Sequence, residues 1–340
     1  MRLFITDLSK KAGGPGAFFR ALVPALERLG IEVSGGLGLG ADVALISPFC
    51  RPEMLAWLRI RGLPIVHRLD GVHYAHLARF NEPMRRVYGR AHTFIFQSQF
   101  SRKVVSAHFG EPKGTCHVIK NGTDLSVFQP AEGEPDLRKL RLVASALWRP
   151  QKRLRDCLAI FAAARRIFPD STLTVLGDTS RVPSEVRELP GVRYWNAVSR
   201  DDVARLLRES HVLLHPSWFD PCPNAVVEAL ASGLPVLYTR NGGTRELVPP
   251  GCGVELVREP EFDLMETDIY NYERIPHVDT EEAIAALEEM VGNYQQYRQR
   301  VMDCRQQFGI ATVAREYTAV FQRCREASKT VAQTAVGGKQ

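Results

Sequence analysis

Strand and helix patterns alternate along nearly the whole of this 340-residue chain, and that alternation leaves few folds open. A strand, a helix and a second strand of the same sheet make a parallel crossover, so repeated units of this kind give parallel sheets wrapped by helices. Short apolar runs predict strands over 3–6, 43–46, 65–67, 93–96 and 116–119, then over 142–145, 172–176, 192–194, 211–214, 235–238 and 254–257. Helical spacing of apolar residues predicts helices at 17–29, 53–59, 153–167, 201–208 and 224–231. Pro130, Gly133 and Pro135 break a polar, acidic stretch at 129–137, which marks a domain boundary. The length exceeds one typical core and suits two. The expectation is an α/β protein of two doubly wound, Rossmann-like domains facing across a cleft, with ligands at the carboxyl ends of the strands. Val313, Tyr317, Val320, Phe321 and Cys324 share one face of a last helix, and the small, polar residues after Ala327 read as a frayed tail.

Composition removes several function classes. No run of eighteen apolar residues occurs, so no transmembrane helix is expected, and the short apolar start at Met1 reads as a strand rather than a signal peptide. Seven cysteines without a Cys-x-x-Cys predict free thiols in a reducing cytoplasm and no zinc site; Cys222, between Pro221 and Pro223, reads as a packing residue. No Asp-x-Asp occurs and the histidines lack metal spacing, so no metal cofactor is expected. Residues 1–130 hold 17 Lys+Arg and 9 Asp+Glu, against 27 and 29 in the remainder. The basic first half is either a solvated face or a surface for anionic membrane or acceptor, with 100–109 as the contact helix. Dispersed arginines without a recognition motif argue against nucleic acid.

The richest segment is 211–243. A buried strand ends at His215, prolines break the chain at 216, 221 and 223, and Asn224 opens a small-residue helix closed by Gly233 and Pro235. Helix-start amides are a natural anion site. Asp220 precedes the helix and Glu228 lies within it. Such an acid pair also arises by chance on a solvated helix, and the context sets this one apart: the proline loop, the helix start, then Asn241-Gly242-Gly243 and Glu246. This stretch resembles the donor-binding region of glycosyltransferase family 4, whose pattern is an acid, seven residues, a glutamate and a Gly-Gly loop. Here the first acid is aspartate, one methylene shorter than the commoner glutamate.

The resemblance extends over nearly the whole chain and implies the GT-B architecture: domains at 1–130 and 131–308, with a helix at 309–327 crossing back to the first. It implies a retaining glycosyltransferase that moves a sugar, a hexosyl group, from a nucleotide diphosphate donor to a hydroxyl acceptor without a cofactor, the nucleotide sugar being a co-substrate. Cell-surface polysaccharide or lipid-linked glycan synthesis is the implied setting, in the cytoplasm or at the inner face of the membrane. Glu228 would hold ribose hydroxyls, Asp220 the transferred sugar, and Asn224, Ala225 and Val226 with Lys152 the diphosphate. Gly13 and Gly14, in a glycine loop between a strand and a helix, would lie across from that diphosphate.

Two positions depart from the pattern. The arginine usual five residues before Lys152 is Leu147 here, so Arg149 or Arg153 takes over, or the phosphates rely on Lys152 and the amides alone. The histidine usual after the strand at 65–67 is Asp70, with His67 and His73 three residues to either side. Asp70 would steady charge at the anomeric carbon or orient the acceptor, or else only cap its loop, leaving His73. Asn121-Gly122 reads as a structural turn. A nucleotide-sugar epimerase or hydrolase, or a catalytically silent GT-B binding or assembly protein, fits the same features.

Overall fold

In the computed structural model, residues 1–6, 14–36, 38–180, 189–196 and 198–337 are described. The chain divides into two compact units, Met1–Gly122 with Ile310–Gln340, and Thr123–Gly309. The first runs β1 (Arg2–Ile5), α1 (Gly14–Arg28), β2 (Glu32–Ser34), β3 (Val43–Ile46), α2 (Pro52–Ile60), β4 (Ile65–Leu69), α3 (Asn81–Tyr88), β5 (Thr93–Phe96), α4 (Gln99–Phe109) and β6 (Thr115–Val118). The second runs β7 (Arg141–Ser145), α5 (Leu154–Ala164), β8 (Thr172–Leu176), β9 (Val192–Trp195), α6 (Arg200–Arg208), β10 (Val212–His215), α7 (Asn224–Ala231), β11 (Val236–Thr239), α8 (Thr244–Leu247), β12 (Gly253–Leu256), α9 (Thr280–Gly292) and α10 (Tyr294–Cys304). A last helix, α11 (Ile310–Gly337), packs in the first unit's core.

Both sheets are parallel, in the orders β2-β1-β3-β4-β5-β6 and β12-β11-β10-β7-β8-β9. The central strands β3, β5, β10 and β11 are buried on both faces because helices cover both. In β3, Val43 and Leu45 join Phe18, Leu22 and the α11 residues Val313, Tyr317 and Phe321. Ala44 and Ile46 turn the other way, toward Phe4 and the α2 residues Leu55 and Leu58. β10 repeats the pattern in the second unit, with Val212 and Leu214 toward α5 and α9, and Leu213 toward α7. Phe128 is fully buried in that unit, and Arg305 binds the carbonyls of Leu125 and Phe128 at 2.7 and 2.8 Å.

The second sheet positions the site. From β7 the chain moves outward to β8 and β9, then returns to β10 beside β7 and continues in the other direction. The loops after β7 and β10 therefore diverge and leave a crevice at the strand ends, where ligands of such sheets bind. In the first sheet the reversal lies between β1 and β3.

Several elements differ from the sequence expectations. β2 precedes the glycine-rich 35–40 segment, which connects two strands; its alternation was hidden by a length of three residues at the sheet edge. Gly38 there has φ +61, and a Cβ would lie 2.8 Å from Phe4 Cγ. α11 continues past Ala327 to Gly337, as nothing before that glycine stops a helix. The 100–109 segment is indeed helical, as α4, but Val104 and Val105 are buried, so it offers no outward apolar face to a membrane. No described helix is long and apolar enough to cross one.

Candidate active site

The loop after β7 is held rigidly from below. Trp148 Nε1 donates to Leu176 O at 3.0 Å, and a Cβ on Gly177 would sit 2.0 Å from Ala146 O, so only glycine permits that approach. A short helical turn, Pro150–Lys152, leads to Arg153 in the left-handed region at φ +52 and ψ 50. A non-glycine residue there costs about 1–2 kcal/mol and persists only where its surroundings impose it. They do so here. Arg153 Nη1 donates to Glu259 Oε2 at 2.7 Å and to Pro216 O at 3.3 Å, its guanidinium lies 4.9 Å from the Trp218 ring centre, and it is 2% exposed. Burial pushes the Glu259 carboxyl up and Arg153 pulls it back.

The loop after β10 docks onto this turn. Trp218 N donates to Gln151 O at 2.8 Å, and Thr239 Oγ1 donates to Ser217 O at 2.6 Å. These bonds deliver Asp220 to Lys152, and the two form an ion pair, each mostly buried. Asp220 Oδ1 also accepts from Cys222 N at 3.2 Å, and Cys222 packs in the core. His215 Nε2 lies 3.9 Å from Asp220 Oδ2; burial, assisted by Lys152, holds that imidazole down to about 4 against the pull of Asp220, and so neutral. The Asn241-Gly242-Gly243 loop closes over the Asp220 backbone. Gly243 N donates to Asp220 O at 2.8 Å, and Gly242, at φ +90, would place a Cβ 2.6 Å from that oxygen. Asn241 Nδ2 donates to Glu259 Oε1 at 2.7 Å, tying this loop to the Arg153 pair.

α7 completes the crevice. Val226, Val227, Ala229, Leu230 and Ala231 are buried, whereas Asn224, Ala225 and Glu228 share the partly open face, as residues i, i+1 and i+4 must. The Val226 and Val227 amides already donate to Pro223 O, at 3.1 and 3.2 Å. The Glu228 carboxyl has no hydrogen-bond or ion-pair partner among the described residues, and burial raises it to about 7 against the attraction of Arg200. Arg200 is fixed by Thr123 Oγ1 at 3.1 Å. A buried carboxylate lacking donors is an acceptor for hydroxyl groups.

The second unit thus assembles Asp220 with Lys152, and carries Glu228, Asn224, Ala225 and Val226 on the next helix. Of the two candidate replacement arginines, Arg153 is taken by Glu259, whereas Arg149 is partly exposed and contacts Tyr270, Nη1 to Oη at 3.5 Å. Leu147 is 54% exposed. The sequence reading missed Arg200, His215, Glu259 and Tyr270 as site residues. His215 carried a signal, a polar residue ending an apolar strand; the others sit where no motif points.

Asp70 stands in the first unit, partly exposed just beyond β4. His73 is anchored through its backbone, which exchanges bonds of 2.8 Å with the Asn81 amide, and burial lowers its imidazole while Asp70 opposes. His67 is wholly buried, bonds Pro48 O through Nε2 at 2.6 Å and is held down to about 4 by burial, so it serves the core. Gly14 is the first residue of α1; Gly13 lies outside the described residues. No cluster of three or more metal-ligating side chains occurs among the described residues.

Comparison with known proteins places this geometry. The family described as Glycosyl transferases group 1 matches residues 138–266, which span the β7 loop, the β10 loop, α7 and the Asn241 loop. Over those residues the chain is similar to that family, which is glycosyltransferase family 4. It is 28% identical over 208 residues to the MMP alpha-(1->4)-mannosyltransferase of Mycolicibacterium hassiacum, covering 59% of this chain and 48% of the relative. It is 26% identical over 227 residues to the UDP-Gal:alpha-D-GlcNAc-diphosphoundecaprenol alpha-1,3-galactosyltransferase of Escherichia coli, covering 56% and 55%. The chain spans about half the length of these relatives. Among solved structures, Anabaena HepE in complex with UDP superposes with TM-score 0.70 at 15% identity, over 95% of this chain and 100% of that one. Sucrose-phosphate synthase from Thermosynechococcus elongatus does so with TM-score 0.69 at 15% identity, over 96% and 99%. At such identities the superpositions establish the fold, GT-B, and nothing finer.

Proposed function

We propose that this protein is a retaining glycosyltransferase that transfers a hexosyl group from a nucleotide diphosphate sugar to a hydroxyl acceptor, without a metal. The observation that carries the reading is the Lys152–Asp220 pair at the sheet's reversal point, beside a helix that presents the unpaired Glu228. Glu228 accepts from the ribose hydroxyls. Lys152 and Arg149, with the Asn224 and Ala225 end of α7, take the diphosphate, where charge grows as the sugar leaves. The ammonium then exchanges its carboxylate partner for phosphate, and Asp220 accepts from hydroxyls of the transferred sugar. No second carboxylate is placed as a nucleophile in this reading, so departure and attack share one face, with leaving-group phosphate assisting the acceptor. Asp70 orients the acceptor hydroxyl or steadies charge at the anomeric carbon.

UDP is the first nucleotide to test, because HepE was solved with it and the Escherichia coli relative is named for UDP-Gal. That relative's name also makes a lipid-linked acceptor and cell-surface glycan synthesis the natural setting. Peripheral attachment to an anionic membrane falls to the first unit, where Pro52, Leu55, Ala56 and Ile60 line a groove of about 460 Å³ with Arg59, Arg86 and Arg90. Ile60 is 80% exposed.

A thermal-shift panel of UDP, GDP, ADP and their sugar conjugates tests the donor site. A ligand at about a hundred times its dissociation constant stabilises by roughly 2.7 kcal/mol, a readable shift. Stabilisation by none of them overturns the reading. Incubation with the sugar donor alone separates a transferase from a hydrolase or epimerase: turnover without any acceptor favours the latter.

A further inference from the structure

Residues 257–279, between β12 and α9, form no regular secondary structure, although they are well past the ~12–15 residues at which such loops become uncommon in compact domains and usually functional. Nor do they hang free. Phe262 is buried against Phe219 and Trp218, with ring centres 5.0 and 5.7 Å apart, and its amide donates to Asn241 Oδ1 at 3.0 Å. Glu259 holds Arg153. At the far end, Asp156 Oδ1 accepts from Val278 N at 2.9 Å, and Ile269, Ile275 and Val278 are buried. The segment is therefore fastened to the loops that carry Lys152, Asp220 and Asn241.

Between these anchors it meets the first turns after β7 with two tyrosines. Tyr270 faces Arg149, its ring centre 5.7 Å from the guanidinium carbon, and Tyr272 faces Arg155 at 4.8 Å. Three carboxylates of the same segment are engaged by its own backbone amides. Asp263 accepts from Met265 N at 2.8 Å, Glu266 from Thr267 N and Asp268 N at 2.7 and 2.8 Å, and Asp268 from Tyr270 N at 2.9 Å. What reaches Arg149 is thus a phenol, and among the described residues no carboxylate pairs with it. A carboxylate in that place would neutralise the cation. An aromatic face orients it and leaves its charge for another anion.

We infer that 257–279 is a positioning strap, and that Tyr270 aims Arg149 at the diphosphate of the donor. This rests on the donor-site reading above and deepens it. Arg149 and Lys152 belong to one turn, the Lys152 amide donating to Arg149 O at 2.9 Å, so a strap that fixes Arg149 gives the phosphates two cations of set geometry. Arg149 touches the ligand, whereas Tyr270 acts through Arg149.

The test compares UDP, uridine and inorganic pyrophosphate by calorimetry on wild type and on the R149A, Y270A, Y270F and Y272A variants. Melting midpoints identify any variant that fails to fold. R149A is expected to weaken UDP and pyrophosphate about ten-fold or more, the scale of one charge-assisted hydrogen bond, and to leave uridine unchanged. Y270A should reproduce most of that loss, Y270F should recover it by restoring the ring, and Y272A should bind all three as wild type does. A merely structural role for Tyr270 would lower UDP and uridine affinity alike. If R149A weakens UDP while Y270A does not, the strap inference is overturned and the donor site stands. If wild type binds neither UDP nor pyrophosphate, the donor-site reading itself fails.

Discussion

Arg68 in the first unit and Arg153 in the second are both buried near the carboxyl end of a strand, yet they are compensated in different ways. Arg153 is matched by one carboxylate, Glu259. Arg68, 1% exposed on β4, is shared among neutral groups: Tyr317 Oη at 3.0 Å, Asn121 Oδ1 at 2.9 Å, Ser47 Oγ at 3.5 Å and the Phe18 ring at 4.4 Å. The Gln97 amide oxygen, turned toward it, accepts at 3.1 and 2.6 Å. The second unit cancels this buried charge on the spot. The first unit joins β3, β4, α11 and Asn121 through a cation that no described carboxylate neutralises, which adds to its basic character.

The difference can be broken by mutation. Arg153→Met strands Glu259 and should cost about 3–5 kcal/mol in urea unfolding, and adding Glu259→Met should recover most of it, because a buried pair can often be replaced whole. Arg68→Met should destabilise by about 2–4 kcal/mol, with no single second substitution that restores it, since its loss is spread over several hydrogen bonds. A full rescue of Arg68→Met by one partner change would erase the contrast.

The next effect concerns ligand rather than fold. Lys152→Ala should weaken nucleoside diphosphate binding by about ten- to a hundred-fold, the scale of one or two charge-assisted bonds, with nucleoside affinity held. Glu228 gives the pH signature. Its carboxyl is raised to about 7, so below that pH binding must first expel a proton. Affinity should fall by up to about ten-fold per unit as pH drops below about 7, and Glu228→Gln should bind more weakly with that dependence gone. A wild-type profile flat from pH 8 to 5.5 would remove Glu228 from the site.

Both units share a pH effect on stability. His67, His211 and His215 are held down to about 4 by burial, and His211 Nδ1 accepts from Arg141 N at 3.2 Å. The unfolded chain takes up these protons near 6.5 and the folded chain near 4. Stability is therefore whole above about 6.5 and declines as pH falls toward 4, which melting midpoints across that range would record. The smallest change expected is for Arg2→Ala. Its pair with Glu32 at 2.8 Å is more than half exposed, and its loss should move stability by less than about 0.5 kcal/mol.

What the sequence disclosed, and what it withheld, follows the range of the interactions. α7 was legible to the residue because its start, small-residue interior and Gly-x-Pro stop are local chemistry, and β3 and β5 because short apolar runs mark doubly covered strands. Asp220, Lys152 and Glu228 were named from the motif and lie on loops and a helix at one reversal point, although they are far apart in the chain. Glu259 was invisible, being joined to Arg153 across 106 positions by an irregular segment with no period to betray it. Tyr270 was hidden for the same reason. β2 was too short and polar to register, and only packing shows that α4 turns its apolar side inward.

The division of the chain also bears on how it is made. The second unit is interrupted by nothing and ends at Gly309, whereas the first needs α11, whose Val313, Tyr317 and Phe321 fill the core laid down by β1, β3 and α1. On a ribosome, the first half must therefore wait with that apolar face open while residues 123–309 emerge and close. A nascent chain arrested at Gly309 would show a protease-resistant later half and a labile earlier one, and the segment made first would be the last to mature.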